Sequence, residues 1–156
     1  MRVLFVCTGN ICRSPTAHGV LLRLAREAGL EDQVIVDSAG THDFHAGESA
    51  DRRAQLHAAR RGYDLSKLKA RKIDNADFRN FDLILAMDRS HLERLERDCP
   101  PEHSHKLRLF MEYADSGTAD QVPDPYYGGS NGFERVLDMV ESGARGLLAE
   151  IRKRRR

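Results

Sequence analysis

The chain of 156 residues carries a formal net charge of +1, with 40% hydrophobic and 31% charged residues. This composition is ordinary for a globular protein, and the length predicts one domain, 1–156, with enough chain to bury a core. The small net charge argues against nucleic acid or a membrane surface as partner, and the early apolar run 3–6 is too short for a signal peptide or membrane span.

The chain has three cysteines, an odd number, and no recognisable secretory signal, and both observations argue against a disulfide framework. We therefore expect reduced thiols in a cytoplasmic protein that does not insert into a membrane. The sequence leaves the oligomeric state open.

Strand and helix patterns alternate along the chain. Short apolar runs predict four strands, over 2–6, 33–39, 82–87 and 106–110. Helical periodicity, ended by glycine or proline, predicts helices over 14–28, 50–61, 89–97 and 132–152. This alternation predicts an α/β fold of three layers, with a parallel sheet between helices. Ligands bind such folds at the carboxyl ends of strands, so the turn after the first strand is the prime site candidate.

That turn lies in "VLFVCTGNICRSPTAHG", residues 3–19. From Thr8 to Cys12 the chain is long enough to curl around a small anion with its N–H groups pointing inward. Gly9 and Asn10 tolerate the left-handed backbone angles that such a loop requires. The helix that follows would direct its positive end at the same point, so the turn is predicted to be a phosphate-binding loop.

Cys7 and Arg13 lie at the two ends of this loop. Arg13 can offer a planar fork of donors to two phosphate oxygens. A helix N-terminus and an arginine nearby favour the thiolate of Cys7, which is a nucleophile suited to phosphorus. Taken alone, Cys7 would favour a buried structural cysteine, but the five-residue gap to Arg13 favours catalysis.

Other loop motifs fit poorly. The loop lacks the lysine of a Walker motif, and it contains only one of the three glycines of a dinucleotide fingerprint. Cys99, His103 and His105 make only a weak zinc candidate. We therefore expect neither a cofactor nor a metal.

A second region of interest is "QVPDPYYGGSNGF", residues 121–133. Asp124 lies between two prolines, which restrict the backbone and could aim its carboxyl at a leaving group that needs a proton. Asp-Pro is also a turn signal, and the residues alone leave both interpretations open. Tyr126 and Tyr127 could form a wall for an aromatic substrate, or they could be ordinary loop aromatics.

The chain resembles the low-molecular-weight protein tyrosine phosphatases, whose signature is an N-terminal Cys-x5-Arg-Ser motif. The resemblance covers nearly the whole chain and is carried by "VCTGNICRSP" (6–15), "DSAGT" (37–41), "KARKI" (69–73), "DFRNFDLILAMD" (77–88) and "DPYYGG" (124–129). It implies a four-stranded parallel sheet flanked by helices, a phosphotyrosine-containing protein substrate and a phosphocysteine intermediate.

The resemblance also implies roles for individual residues. Cys7 would be the nucleophile, Arg13 the phosphate ligand, and Asp124 the general acid and then the base. Ser14 would donate a hydrogen bond to the sulfur of Cys7. Phosphate binding and loop support would involve Thr8, Gly9, Asn10, Ile11, Cys12, Ser14, Ser38 and Asp88. The substrate pocket would be walled by Phe44, Tyr126 and Tyr127.

Several positions depart from the family pattern. Leu68 replaces a frequent histidine, which removes one side chain that could support the loop. His18 and His91 stand where glutamate and asparagine are frequent, and we expect neither to touch the catalytic residues. Arg71 is expected to be structural, and the terminal "RKRRR" (152–156) is expected to be a solvated, disordered basic tail.

Alternative functions remain within the same fold. Arsenate reductases relay oxidation to two later cysteines, whereas Cys99 is the only later cysteine here. Protein arginine phosphatases typically carry threonine at the position of Ile11. A non-enzymatic phosphate-binding module predicts the loss of a catalytic residue and ranks last. Cys12 either packs against the first helix or pairs with Cys7 on oxidation.

Overall fold

A computed structural model describes residues 1–126 and 129–154 of the chain. Four parallel strands form one sheet in the order β2-β1-β3-β4. The strands are β1 Arg2–Cys7, β2 Ile35–Gly40, β3 Leu83–Ala86 and β4 Leu107–Leu109. The predicted number and direction of the strands are confirmed, and β1 lies inside the sheet with its carboxyl end between those of β2 and β3.

Five α-helices connect and follow the strands in the described residues. They are α1 Arg13–Glu27, α2 Arg52–Arg60, α3 Asn75–Asn80, α4 Arg89–Asp98 and α5 Ser130–Arg154, with 3-10 turns at Pro101–Lys106 and Phe110–Tyr113. The sequence analysis missed α3, because six residues are too few to show a helical period. A capping box between Asp74 and Asp77 begins this helix.

The sheet separates two apolar clusters, which confirms the predicted three layers. Val3 and Phe5 of β1 face one cluster, which includes residues of α1, α2 and α5. Leu4 and Val6 face the other cluster, to which α3 and α4 contribute. All four side chains are fully buried. Because alternate residues of a strand point to opposite faces, an unbroken apolar run covers both sides of the sheet.

The C-terminal helix is longer than predicted. Helix α5 continues through Arg152, Lys153 and Arg154, whose side chains are exposed. The expectation of a disordered tail from residue 152 is therefore wrong for these three residues, and 155–156 lie outside the described residues. Cations suit this position because they oppose the negative end of the helix dipole. Among the described helices, none is both long and apolar enough to cross a membrane.

Gly146 sets how closely α5 can approach the 3-10 turn Phe110–Tyr113. A Cβ atom at this position would lie 1.7 Å from the carbonyl oxygen of Tyr113. We expect Gly146→Ala to lower the free energy of unfolding by about 3 kcal/mol or more, because a backbone must move. Denaturant unfolding measures this change.

Gly132→Ala is the matched control in the same helix. A Cβ atom there would be 3.6 Å from Pro125, an ordinary contact. We expect the control to be neutral or to stabilise by up to about 1 kcal/mol, the gain in helix propensity. Equal unfolding midpoints for the two variants would contradict the proposed close approach.

Candidate active site

The predicted phosphate-binding loop joins the carboxyl end of β1 to the start of α1. Main-chain hydrogen bonds anchor it at both ends: Thr41 N donates to Cys7 O at 2.8 Å, and Asp51 N donates to Ile11 O at 2.8 Å. The segment after β2 therefore lies against the loop. Its main-chain atoms bind carbonyl oxygens of the loop, so they do not compete for the N–H groups of residues 8–12.

Asn10 has the unusual backbone of this loop. Its φ of 59° is the left-handed value that the sequence predicted for this residue type. Its buried side chain donates from Nδ2 to Ser14 Oγ at 2.8 Å and accepts at Oδ1 from Arg71 N at 3.0 Å. Gly9 does not adopt a left-handed φ. A Cβ atom there would lie 3.0 Å from His45, so its small size makes room beside the loop.

Cys7 lies beneath the loop with its sulfur next to a hydroxyl. Ser14 Oγ is 3.0 Å from Cys7 Sγ, and both residues are buried. Asn10 donates to Ser14 Oγ, so the one hydroxyl proton of Ser14 can be donated either to Cys7 Sγ at 3.0 Å or to Ala39 O at 3.5 Å, and the sulfur is the nearer acceptor. Ser38 has a different contact from the one that loop support implies: its Oγ pairs with His18 Nδ1 of α1 at 3.0 Å.

Arg13 is buried, with only 5% of the residue exposed, and its guanidinium is held in a fixed orientation. Its Nη1 donates to Asp88 Oδ2 at 2.8 Å and to Val122 O at 3.0 Å. Its Nη2 lies 3.8 Å from Asp124 Oδ2. The buried cation thus lies between two carboxylates, and one of them, Asp124, is half exposed at the cleft.

Asp88 is the N-cap of α4 and remains ionised. Burial opposes its charge, but hydrogen bonds from Ser90 Oγ and His91 N outweigh burial and keep the pKa of Asp88 below its ordinary value. The same carboxylate can therefore cap the helix with Oδ1 and bind Arg13 with Oδ2.

His91 lies inside the site, and the expectation that it stays clear of the catalytic residues is wrong. Its Nε2 is 2.8 Å from Thr8 Oγ1 and 3.4 Å from Arg13 Nη2. Burial, and then the charge of Arg13, lower the pKa of His91 to about 4. The Asp88-x-x-His91 spacing could have indicated this placement, because residue N3 of a helix lies over its N-cap.

A cleft of about 240 Å³ opens above the loop. It is lined by Cys7, Thr8, Gly9, Ile11, Cys12, Arg13, Phe44, His45, Asp124 and Tyr126. Asp124 is oriented by Tyr126 N, which donates to its Oδ1 at 3.0 Å. Phe44 is 68% exposed and stacks on His42. Tyr127, the other predicted pocket residue, lies outside the described residues.

Three further residues singled out in the sequence make packing or ion-pair contacts. Cys12 is buried in the core beside α1, and burial followed by the charge of Asp51 raises its pKa above the ordinary value. Arg71 forms ion pairs with Asp37 and Asp77, which are structural contacts. Leu68 packs against the core. Within 1–126 and 129–154, no cluster of His, Cys, Asp or Glu could hold a metal ion.

Residues 2–156 match the model of the family described as low molecular weight phosphotyrosine protein phosphatase. The chain belongs to this family, and the phosphatase function that the sequence predicted is confirmed.

Similar proteins agree with this assignment. A low molecular weight protein-tyrosine-phosphatase from Streptomyces coelicolor is 47% identical over 155 residues, which cover 97% of this chain and 94% of the relative. A protein tyrosine phosphatase structure from Entamoeba histolytica is 37% identical, with a TM-score of 0.96 and coverage of 100% and 99%. A Drosophila arginine phosphatase is 32% identical, with a TM-score of 0.89 and coverage of 96% and 97%.

The low pKa of His91 gives the protein an acid-sensitive stability. Its value of about 4 in the folded protein lies below the 6.5 of an unperturbed histidine. Between these values the unfolded chain binds more protons, so stability falls as pH drops from 6.5 toward 4. We expect His91→Asn to lose about 3 kcal/mol less stability than the native protein between pH 7 and pH 4. Denaturant unfolding at both pH values measures the difference.

The exposed His105 provides the control. His105→Asn also removes a histidine, but from an exposed position away from Arg13, and we expect it to lose as much stability as the native protein between the two pH values. An equal acid-induced loss in native protein and His91→Asn would contradict the burial of an uncharged His91.

Proposed function

We propose that this phosphatase hydrolyses phosphotyrosine in protein substrates through a phosphocysteine intermediate on Cys7. The observation that supports this most is convergence: the sulfur of Cys7, the guanidinium of Arg13 and the carboxylate of Asp124 line one cleft. Phe44 and Tyr126 at its mouth offer apolar surface to a phenyl ring.

In the first half-reaction the loop N–H groups and Arg13 bind the phosphoryl oxygens. The thiolate of Cys7 attacks phosphorus, a sulfur–phosphorus bond forms, and the bond from phosphorus to the phenolic oxygen breaks. Phenolate is a poor leaving group because the pKa of tyrosine is about 10. Asp124 therefore donates its proton to that oxygen as the bond breaks.

In the second half-reaction the same groups act in reverse. Asp124, now a carboxylate, accepts a proton from water as the water oxygen attacks phosphorus. The sulfur–phosphorus bond breaks and inorganic phosphate forms. Ser14 stabilises the departing thiolate of Cys7, since its hydroxyl lies 3.0 Å from the sulfur.

The position of Asp124 suits both proton transfers. Its side chain is 49% exposed, so water can reach it, and its Oδ2 lies 3.8 Å from Arg13. The adjacent Tyr126 N–H holds the other oxygen, Oδ1, and so directs the carboxyl toward the cleft. A simple turn residue also accepts a hydrogen bond from the N–H two residues on, so this contact does not separate the two roles. What supports the general-acid role is that Asp124 lines the cleft together with Cys7 and Arg13.

We further propose that 1–156 is one catalytic domain and that it works in the cytoplasm. A reducing compartment keeps a thiolate nucleophile active, because oxidation would remove it. All three cysteines are free thiols, which fits such a compartment.

Cys7→Ser should abolish turnover while the protein still binds phosphate. A serine hydroxyl stays protonated at this position and cannot attack, whereas the loop N–H groups and Arg13 remain. Turnover of an aryl phosphate and phosphate titration by calorimetry measure the two properties. Cys99→Ser is the control and should keep full activity. The thiol of Cys99 lies away from the cleft, where it donates a hydrogen bond to the carbonyl oxygen of Pro100. Turnover by Cys7→Ser above contaminating levels would contradict the cysteine mechanism.

Asp124→Ala should slow release of basic phenols more than release of activated ones such as nitrophenol. General acid catalysis is worth about 10²- to 10⁴-fold, and the loss grows as the leaving oxygen becomes more basic. Single-turnover release of a series of phenols measures the slope of rate against leaving-group pKa. Asp120→Ala, which removes an exposed carboxylate paired with Arg89, is the control. Identical slopes for native protein and Asp124→Ala would show that another group is the acid.

A second candidate activity is arginine phosphatase, because the similar Drosophila structure carries that name. Ile11 at the cleft lacks the hydroxyl that threonine offers at this position in such enzymes. We expect matched phosphopeptides to be cleaved in the order phosphotyrosine well above phosphoarginine, with phosphoserine lowest. Phosphate release from the three peptides gives the order, and faster cleavage of phosphoarginine would reverse the assignment. An Ile11→Thr variant tests whether the missing hydroxyl restricts phosphoarginine.

A further inference from the structure

His91 is a buried histidine that contacts the phosphate-binding loop. It lies in the first turn of α4 and is 2% exposed. Its Nε2 contacts two groups of the phosphate-binding machinery, Thr8 Oγ1 at 2.8 Å and Arg13 Nη2 at 3.4 Å. A side chain that is this deeply buried and joins two loop residues can set the geometry of the loop.

The partners determine which ring nitrogen carries the proton. A guanidinium has donors only, so toward Arg13 the Nε2 of His91 must present its lone pair. The proton of the neutral ring is then on Nδ1. Nδ1 lies 3.1 Å from Asp88 Oδ1, a favourable charge arrangement, although the angle fails hydrogen-bond geometry. It is the one buried side-chain polar atom in 1–126 and 129–154 without a hydrogen-bond partner.

The hydrogen bonds of Arg13 determine which of its donors are left for phosphate. Both hydrogens of Nη1 are used by Asp88 and Val122 O. One hydrogen of Nη2 faces His91. Within the described residues Nε has no hydrogen bond, and Nη2 keeps a second hydrogen, with Asp124 Oδ2 3.8 Å away. The donors left for phosphate therefore belong to the Nε–Nη2 edge of the guanidinium. That edge has the fork geometry that binds two phosphate oxygens.

We propose that His91 is a positioning residue for phosphate binding, whose unprotonated Nε2 orients the Thr8 hydroxyl and the Nη2 group of Arg13. The proposal rests on the phosphate-binding role proposed above for Arg13. Asp88 fixes the inner end of the guanidinium, and His91 fixes its rotation, so the open edge is directed into the cleft before phosphate arrives. Preorganisation of this kind saves the ordering cost on binding.

Protonation would reverse the role of the ring. A protonated Nε2 becomes a donor facing the donors of Arg13, so the contact turns repulsive. The charged or titratable groups that face the ring are Arg13 on α1, Asp88 at the start of α4, Asp124 on the loop before α5, and His42 after β2. Burial and Arg13 lower the pKa of His91, and these effects exceed the opposing pull of the two aspartates. The neutral, accepting ring therefore persists to mildly acidic pH.

Two substitutions separate positioning from mere packing. His91→Asn keeps a side-chain acceptor and cannot be protonated, whereas His91→Leu keeps apolar volume and removes the acceptor. With inorganic phosphate as competitive inhibitor of aryl phosphate turnover, we expect His91→Leu to raise the phosphate Ki about tenfold, the equivalent of one lost hydrogen bond to a charged group. We expect His91→Asn to stay within about threefold of the native Ki.

His18→Leu is the matched control. His18 is also a buried histidine paired with a hydroxyl, that of Ser38, but it does not contact Arg13. Its phosphate Ki should stay within about twofold of the native value. A folded His91→Leu with the native Ki, or equal losses in His91→Leu and His91→Asn, would overturn the positioning role. If the native protein neither binds phosphate nor turns over aryl phosphates, the proposed function fails instead.

A pH series and nitrogen NMR test the same idea without relying on the leucine variant. The ratio of native to His91→Asn kcat/KM should fall as pH drops from 7 toward 4, because all other titrating groups are common to both proteins. In ¹⁵N NMR of the native protein at pH 7, Nε2 of His91 should be unprotonated, and its resonance should shift when inorganic phosphate is added. A flat ratio, or a proton on Nε2 at pH 7, would overturn the proposal.

Discussion

The ion pair between Arg13 and Asp88 is the interaction on which the site depends. Arg13 begins α1 at the end of β1, and Asp88 begins α4 just after β3. Their 2.8 Å contact therefore connects the segments that follow two neighbouring strands, at the carboxyl edge of the sheet. A buried cation without a partner is costly, so the fold must bring this carboxylate to the guanidinium before any phosphate binds.

A second chain of hydrogen bonds supports the loop from the opposite side. It runs from the backbone of Arg71 through the amide of Asn10 to the hydroxyl of Ser14 and ends at the sulfur of Cys7. Asn10 can join this chain because its left-handed backbone turns the amide inward. The loop is thus held from both flanks of β1.

Local sequence was sufficient for the parts of the site that lie close together along the chain. Cys7, Asn10, Arg13 and Ser14 fall within eight residues, so one strand end and one helix start determine their arrangement. The apolar runs predicted the central strands β1 and β3 for a related reason, since burial on both faces leaves an unbroken hydrophobic pattern. Short or terminal features were less predictable: α3 has no full period, and α5 extends into a charged segment that resembles a tail.

Contacts between distant segments were decided only by the tertiary structure. The sequence identified the Cys-x5-Arg-Ser loop, but the residues alone left Asp124 as either an acid or a turn residue, and only the structure shows that it lines a cleft formed by separate segments. Likewise, His91 and Thr8 are 83 residues apart, and only the pairing of β1 with β3 makes them neighbours. Local sequence patterns indicate backbone preference and burial. The residue that a side chain contacts depends instead on which strands lie side by side.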